Sequence, residues 1–144
     1  MKILDRIPRF LTSAVVTAGV LYLTLAPRPF GSVRIPLFEG ADKVVHFMMF
    51  FAMAFAYHFD FRRGKKPVDE ARLMGWIFVS LSAFGGLIEL AQWKMRMGRS
   101  GDWYDLLADI AGAVYGSSVF RRRVQRFKAL AVHRPFVLPA FRIC

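Results

Sequence analysis

Carboxylates, an imidazole, an amide and two guanidinium groups lie within or just beyond the ends of three apolar segments of the sequence. These residue types can exchange protons, hydrogen-bond a polar head group or balance buried charge. Each occurs beside a hydrophobic stretch rather than in a polar region, so we interpret them as members of one site. They are Asp42, His46, Glu89, Gln92, Arg96, Arg99, Asp102, Asp105 and Asp109.

Helical spacing groups these polar residues on common faces. Glu89, Gln92 and Arg96 follow one another at intervals of three and four residues, which places them on one side of a helix. The same spacing aligns a second set, which comprises Asp102, Asp105, Asp109, Gly112 and Gly116. The two glycines form a small-xxx-small pair that lets another helix approach closely. Asp109 is expected about 9 Å inside its helix, with His46, Arg96 or Arg99 as its partner.

Simpler structural roles compete with a functional one. Asp102 can cap a helix, and Asp105 can favour its first turn through the helix dipole. Asp109 lies too far from the helix start to be a cap, but a buried structural ion pair would also explain it. Glu89 and Gln92 can serve as hydrogen-bonding contacts between helices.

Catalytic and metal-binding motifs are scarce. His46 with Glu89 or Asp105 is the candidate acid–base pair. The sequence contains neither HExxH nor CxxC, and its only cysteine is the terminal Cys144. We therefore predict no metal and no cofactor, although a cation held by His46, Glu89 and an aspartate stays open as a less favoured alternative.

Four apolar windows organise the chain. Of the 144 residues, 56% are hydrophobic and 15 are Phe, and the mean hydropathy is +0.36. The windows cover about residues 8–26, 44–61, 73–93 and 103–120, each close to the length of a membrane-crossing helix. The prediction is an all-α membrane protein, a four-span bundle over residues 1–120.

The distribution of positive charge predicts the orientation. The net charge is +11, and most Lys and Arg residues lie in the amino end, the second loop and the tail. The positive-inside rule then places both termini in the cytoplasm of a bacterial inner membrane. Residues 121–144 are expected to form a basic cytoplasmic tail on anionic phospholipid, and nucleic acid is not expected as a partner.

The ordered motifs resemble the VanZ-like family over about residues 27–120. They are Asp42-Lys-Val-Val-His46-Phe47, Glu89-Leu-Ala-Gln92, Gly98-Arg99-Ser-Gly-Asp102-Trp-Tyr-Asp105 and Asp109-Ile-Ala-Gly112. The resemblance implies a small bacterial membrane protein with several spans. It also implies an association with resistance to the glycopeptide teicoplanin.

The leading functional hypothesis is an outward-facing pocket that binds a lipid-linked or amphipathic envelope molecule. In it, Arg96 and Arg99 contact anionic head-group oxygens, while the acidic residues orient the arginines and His46. A membrane-embedded hydrolase or transferase acting on a lipid-linked substrate is the second hypothesis. The third is a structural accessory subunit with a membrane-protein partner.

Overall fold

The computed structural model describes residues 8–26, 40–64, 69–95 and 103–132. These residues form four α-helices in chain order: α1 (Leu11–Leu25), α2 (Ala41–Arg62), α3 (Glu70–Met95) and α4 (Trp103–Val132). Within these ranges no strand occurs, so the predicted all-helical fold is confirmed. The fourth helix continues twelve residues past the predicted end of its apolar window at residue 120.

The helix starts have three different local explanations. Gly40 precedes α2 with φ of 84°, a left-handed conformation that glycine adopts without steric cost. Asp69 caps α3 because its Oδ1 accepts hydrogen bonds from the backbone N–H groups of Ala71 and Arg72, at 3.0 and 3.3 Å. Phe10 precedes α1 and makes no side-chain cap bond, so the first N–H groups of α1 need acceptors from elsewhere.

The largest helix interface joins α2 and α4. A Cβ added at Gly112 would overlap the Phe47 carbonyl oxygen, and one at Gly116 would lie 2.6 Å from the Phe51 carbonyl oxygen. The two helices therefore run parallel, with backbones in close contact along the predicted small-xxx-small pair. This contact brings the starts of α2 and α4 to the same end of the bundle.

The core lies where α1 and α3 cover this pair. Phe50, Met53 and Ala54 of α2 are almost completely buried, and Ile77 and Leu81 of α3 pack in the same cluster. Successive helices alternate in direction, because Ser13 of α1 contacts Asp60 of α2 and Gln92 of α3 contacts Thr24 of α1. The ends of α1 and α3 and the starts of α2 and α4 thus share one end of the bundle.

Two helices, α2 and α3, are long and apolar enough to cross a membrane. Helix α1 has 15 residues, which corresponds to about 22 Å and is shorter than a usual span. Helix α4 has aspartates in its first half and an arginine run in its second. The two apolar helices favour a membrane protein. They do not by themselves confirm the four spans that the sequence predicted.

Candidate functional site

A histidine and an aspartate from the parallel helix pair form the centre of the site. Nδ1 of His46 in α2 lies 2.9 Å from Oδ1 of Asp109 in α4, within hydrogen-bond distance. His46 is 6% exposed and Asp109 is completely buried. Both residues lie one to two turns inside their helices. Of the partners expected for Asp109, His46 is the one that lies within the described residues, and it makes the contact.

Glu89 of α3 completes a three-helix cluster with this pair. One potential ligand atom from each of His46, Glu89 and Asp109 lies within 4.8 Å of the other two. Glu89 is half-buried. The cluster therefore gathers two carboxylates and an imidazole from three helices at one level of the bundle.

Asp105 and Lys43 lie one turn closer to the end of the bundle. Oδ1 of Asp105, in the first turn of α4, is 3.5 Å from Nζ of Lys43. Lys43 also contacts the exposed carboxylate of Asp42, at 3.2 Å. We call His46, Glu89, Asp105 and Asp109 the acidic site, with Lys43 at its outer edge.

Gln92 is buried, but its side chain bonds a residue of α1 rather than the acidic site. Its side-chain N–H donates a 3.0 Å hydrogen bond to the backbone carbonyl of Thr24. The contact joins α3 to α1, in keeping with an interhelical role.

Asp42 lies on the surface, so its carboxylate is not part of the buried cluster. Arg96, Arg99 and Asp102 lie outside the described residues.

Two residues of the site were missed in the sequence analysis. Lys43 precedes His46 by three residues, so the helical period alone places both on one face. Gly85 precedes Glu89 by four residues, and a Cβ there would lie 2.9 Å from Oδ2 of Asp109. Its missing side chain makes room for the Asp109 carboxylate. The spacing was a usable signal for both residues.

The arrangement can orient a proton donor or acceptor and can hold positive charge. Asp109 can fix the imidazole of His46, as a carboxylate does in general-base sites. Glu89 supplies a second carboxylate within reach. In the part of the chain that the structure describes, no donor bonds Oδ2 of Asp109. One buried carboxylate oxygen thus keeps its capacity to accept a further ligand.

The sequence matches the VanZ/LLP1 family over residues 7–126. No curated protein and no solved structure matches the chain. The family match begins earlier than the resemblance seen in the motifs and extends beyond it, into the second half of α4. Because it covers most of the chain and includes the whole acidic site, this protein belongs to the VanZ/LLP1 family.

Proposed function

We propose that this protein binds the polar head group of a lipid-linked or amphipathic envelope molecule at the acidic site. The observation that carries the proposal is the clustering of His46, Glu89 and Asp109 at one end of an apolar bundle. Ionised groups inside a membrane protein are costly and usually serve a function. A head group entering from the bilayer surface would meet this end first.

An orientation with all four helices in the membrane fits the outer surface of the bundle. Large apolar side chains are exposed on each of the four helices: Val15 at 62%, Met48 at 54%, Trp76 at 67% and Leu107 at 59%. Lipid is the solvent that such a surface suits. The end opposite the acidic site carries Arg62, Arg63 and exposed residues 121–123. By the positive-inside rule that end is cytoplasmic, in a bacterial inner membrane.

Aromatic residues support a position for the acidic site near the outer interface. Trp93, Trp103 and Tyr104 lie at the same end and are each at least 66% exposed. Trp and Tyr favour the head-group level of a bilayer. A molecule held there has its head group in the site and its chains beside α2 and α3.

Both charge signs flank the site, which suits a head group that carries both. Glu89, Asp105 and Asp109 are acidic, whereas Lys43 is basic and contacts Asp105. Arg96 and Arg99 follow α3 in sequence and would supply further positive charge for phosphate oxygens. If the protein binds such an envelope molecule, the access of teicoplanin to the cell surface would fall. This agrees with the resistance association of VanZ-like proteins.

The test compares an arginine proposed to contact the head group with an arginine at the end opposite the acidic site. Wild type, Arg99→Ala and Arg121→Ala are purified in mild detergent and titrated with a polyprenyl phosphate, with bound lipid counted by native mass spectrometry. Arg99→Ala is expected to weaken binding roughly tenfold or more, because a charge-assisted phosphate contact is lost. Arg121→Ala is the matched control and should bind as wild type. Equal binding by all three proteins contradicts the role of Arg99, and the absence of binding by the wild type contradicts the proposal itself.

An enzymatic role is the second candidate, and the 2.9 Å His46–Asp109 contact favours it. An aspartate that orients a histidine is the usual arrangement of a general base. The substrate would be lipid-linked, and the reaction a hydrolysis or group transfer. Incubation with a membrane lipid extract, followed by mass spectrometry, should then show a product that His46→Gln does not form. Binding without any product excludes this candidate.

A further inference from the structure

We propose that His46, Glu89 and Asp109 bind one divalent transition-metal ion, with Zn²⁺ as the favoured species. The three residues come from α2, α3 and α4, so the ion would join three helices at one level. Their potential ligand atoms lie within 4.8 Å of one another. Ligands at the usual 2.0–2.2 Å from zinc are roughly 3–4 Å apart. Small side-chain rotations therefore suffice to close the site.

A second observation points to a ligand at this position. Asp109 is completely buried, and its Oδ1 contacts His46. Its Oδ2 has no hydrogen-bond donor within the described ranges. A buried carboxylate oxygen without a donor is costly, and metal coordination is one way to satisfy it. Gly85 lets this oxygen lie against α3, the helix of Glu89, since a Cβ there would lie 2.9 Å from it.

The charge of the cluster also favours a cation. Glu89 and Asp109 bring two carboxylates together inside an apolar bundle, and a divalent ion would neutralise both. Lys43 contacts Asp105 and Asp42 at the outer edge. Like charges that share a low-dielectric site repel each other strongly unless a counter-ion lies between them.

The ligand types narrow the choice of metal. An imidazole beside carboxylates suits zinc, manganese or iron, whereas Mg²⁺ and Ca²⁺ prefer oxygen ligands alone. Three protein ligands leave at least one coordination position for an outside molecule, as in metal sites that bind substrates. A phosphate oxygen is a suitable occupant of that position. Metal binding itself requires no lipid, so it stands apart from the proposed function.

The experiment measures the metal alone. The full chain, purified with a tag that contains no histidine, is stripped with a chelator and dialysed against Zn²⁺, Mn²⁺ or Mg²⁺. Bound metal is measured by inductively coupled plasma mass spectrometry. We expect one Zn²⁺ per chain, weaker binding of Mn²⁺ and no binding of Mg²⁺. His46→Gln, Glu89→Gln and Asp109→Asn should each lower zinc affinity roughly 100-fold or more, because loss of a ligand should cost at least as much as loss of a residue that orients one. His58→Gln is the matched control, because His58 is a buried histidine of the same helix, and it should bind zinc as wild type.

A spectroscopic measurement on wild type keeps the test decisive if a variant does not fold. Pulsed electron paramagnetic resonance of the Cu²⁺-loaded protein counts the coordinating imidazoles, and one is expected. No coordinating imidazole, or two, overturns the proposal, as does zinc binding that survives His46→Gln. Arg99→Ala should leave zinc binding unchanged. Failure of the metal site and failure of head-group binding are therefore observed separately.

Discussion

Each end of the bundle has a fully buried aspartate, but the two carboxylates have different surroundings. At the end opposite the acidic site, Oδ2 of Asp60 accepts hydrogen bonds from the Ser13 backbone N–H at 2.8 Å and the Ser13 hydroxyl at 2.7 Å. Ser13 is in the first turn of α1, which has no side-chain cap of its own. Asp60 therefore caps α1 from another helix, with its negative charge at the positive end of the dipole.

Asp109 receives no such support from a helix end. Its described hydrogen-bond partner is a side chain, His46, and it lies more than a turn inside α4. Burial alone therefore does not distinguish a structural acid from a functional one. The groups around each carboxylate do. Asp60 has two Ser13 donors on Oδ2 and Nη1 of Arg63 4.0 Å from Oδ1, although Oδ1 accepts no hydrogen bond in the described part of the chain. By contrast, no donor bonds Oδ2 of Asp109 within the described residues.

The two buried histidines of α2 differ in the same way. His46 faces carboxylates, whereas His58 stacks on the Phe120 ring, with centroids 5.2 Å apart and planes 17° apart. Arg62 lies on the same side of the bundle and pairs with Glu70 of α3. His58 packs against an aromatic ring beside an arginine, which would repel a cation, whereas the carboxylates around His46 would attract one. His58 is therefore a natural control for His46.

Gly112→Leu should have the largest effect, because it breaks both regions at once. The α2–α4 contact carries the acidic site at one end and Phe120 against His58 at the other, and no Cβ fits at Gly112. We expect a loss of about 3 kcal/mol or more in the free energy of unfolding, measured by thermal and denaturant unfolding in detergent. Gly86→Ala is the control, because nothing lies within 4 Å of that position. Similar losses in the two variants would contradict the close helix contact.

Asp60→Ala should damage only the end opposite the acidic site. It removes the cap of α1 and leaves the Ser13 N–H without its acceptor, so the free energy of unfolding should fall by about 2 kcal/mol. Asp42→Ala, an exposed aspartate of the same helix, should change it by less than about 0.5 kcal/mol. Zinc affinity should stay unchanged in a folded Asp60→Ala protein. A large loss of zinc binding there would remove the distinction between the two ends.

Gln92→Met tests whether Gln92 belongs to the acidic site. The substitution keeps the side-chain length but leaves the Thr24 carbonyl without its donor. The free energy of unfolding should fall by about 1 kcal/mol, since a hydrogen bond between helices in a membrane contributes about that much. Isothermal titration should show wild-type zinc affinity. A strong loss of affinity would extend the site to Gln92, as the sequence analysis had assigned it.

Lys43→Met should have the smallest effect on stability. Its contact with Asp105 lies at the edge of the bundle, so the free energy of unfolding should change by about 0.5 kcal/mol or less. Binding of the polyprenyl phosphate should weaken roughly fivefold, because a direct contact between Lys43 and the phosphate would contribute about 1 kcal/mol. Lys94→Met, also near this end but on α3, is the control. Tighter phosphate binding in Lys43→Met would mean that the site does not receive an anion.

The sequence alone determined the helical class, the helix count and the residues that could form a site. Apolar windows interrupted by charge are a local pattern, and the spacing of Asp105, Asp109, Gly112 and Gly116 placed them on one face without any tertiary information. Each position in these patterns depends on neighbours within one or two turns. For that reason a close helix contact at Gly112 could also be predicted, although the spacing did not identify α2 as the partner.

The tertiary structure decided which of these residues meet. His46 and Asp109 are 63 residues apart in sequence, and periodicity cannot select one partner among several candidates. Gln92 and Glu89 share a helix face, but their side chains point about 60° apart around the axis of α3. This difference is enough for Gln92 to bond a carbonyl of α1 while Glu89 joins the cluster. Asp60 showed no sign of its role in the sequence, because its partner is a backbone group of α1. Contacts of this kind depend on how helices pack against one another, which local spacing does not encode.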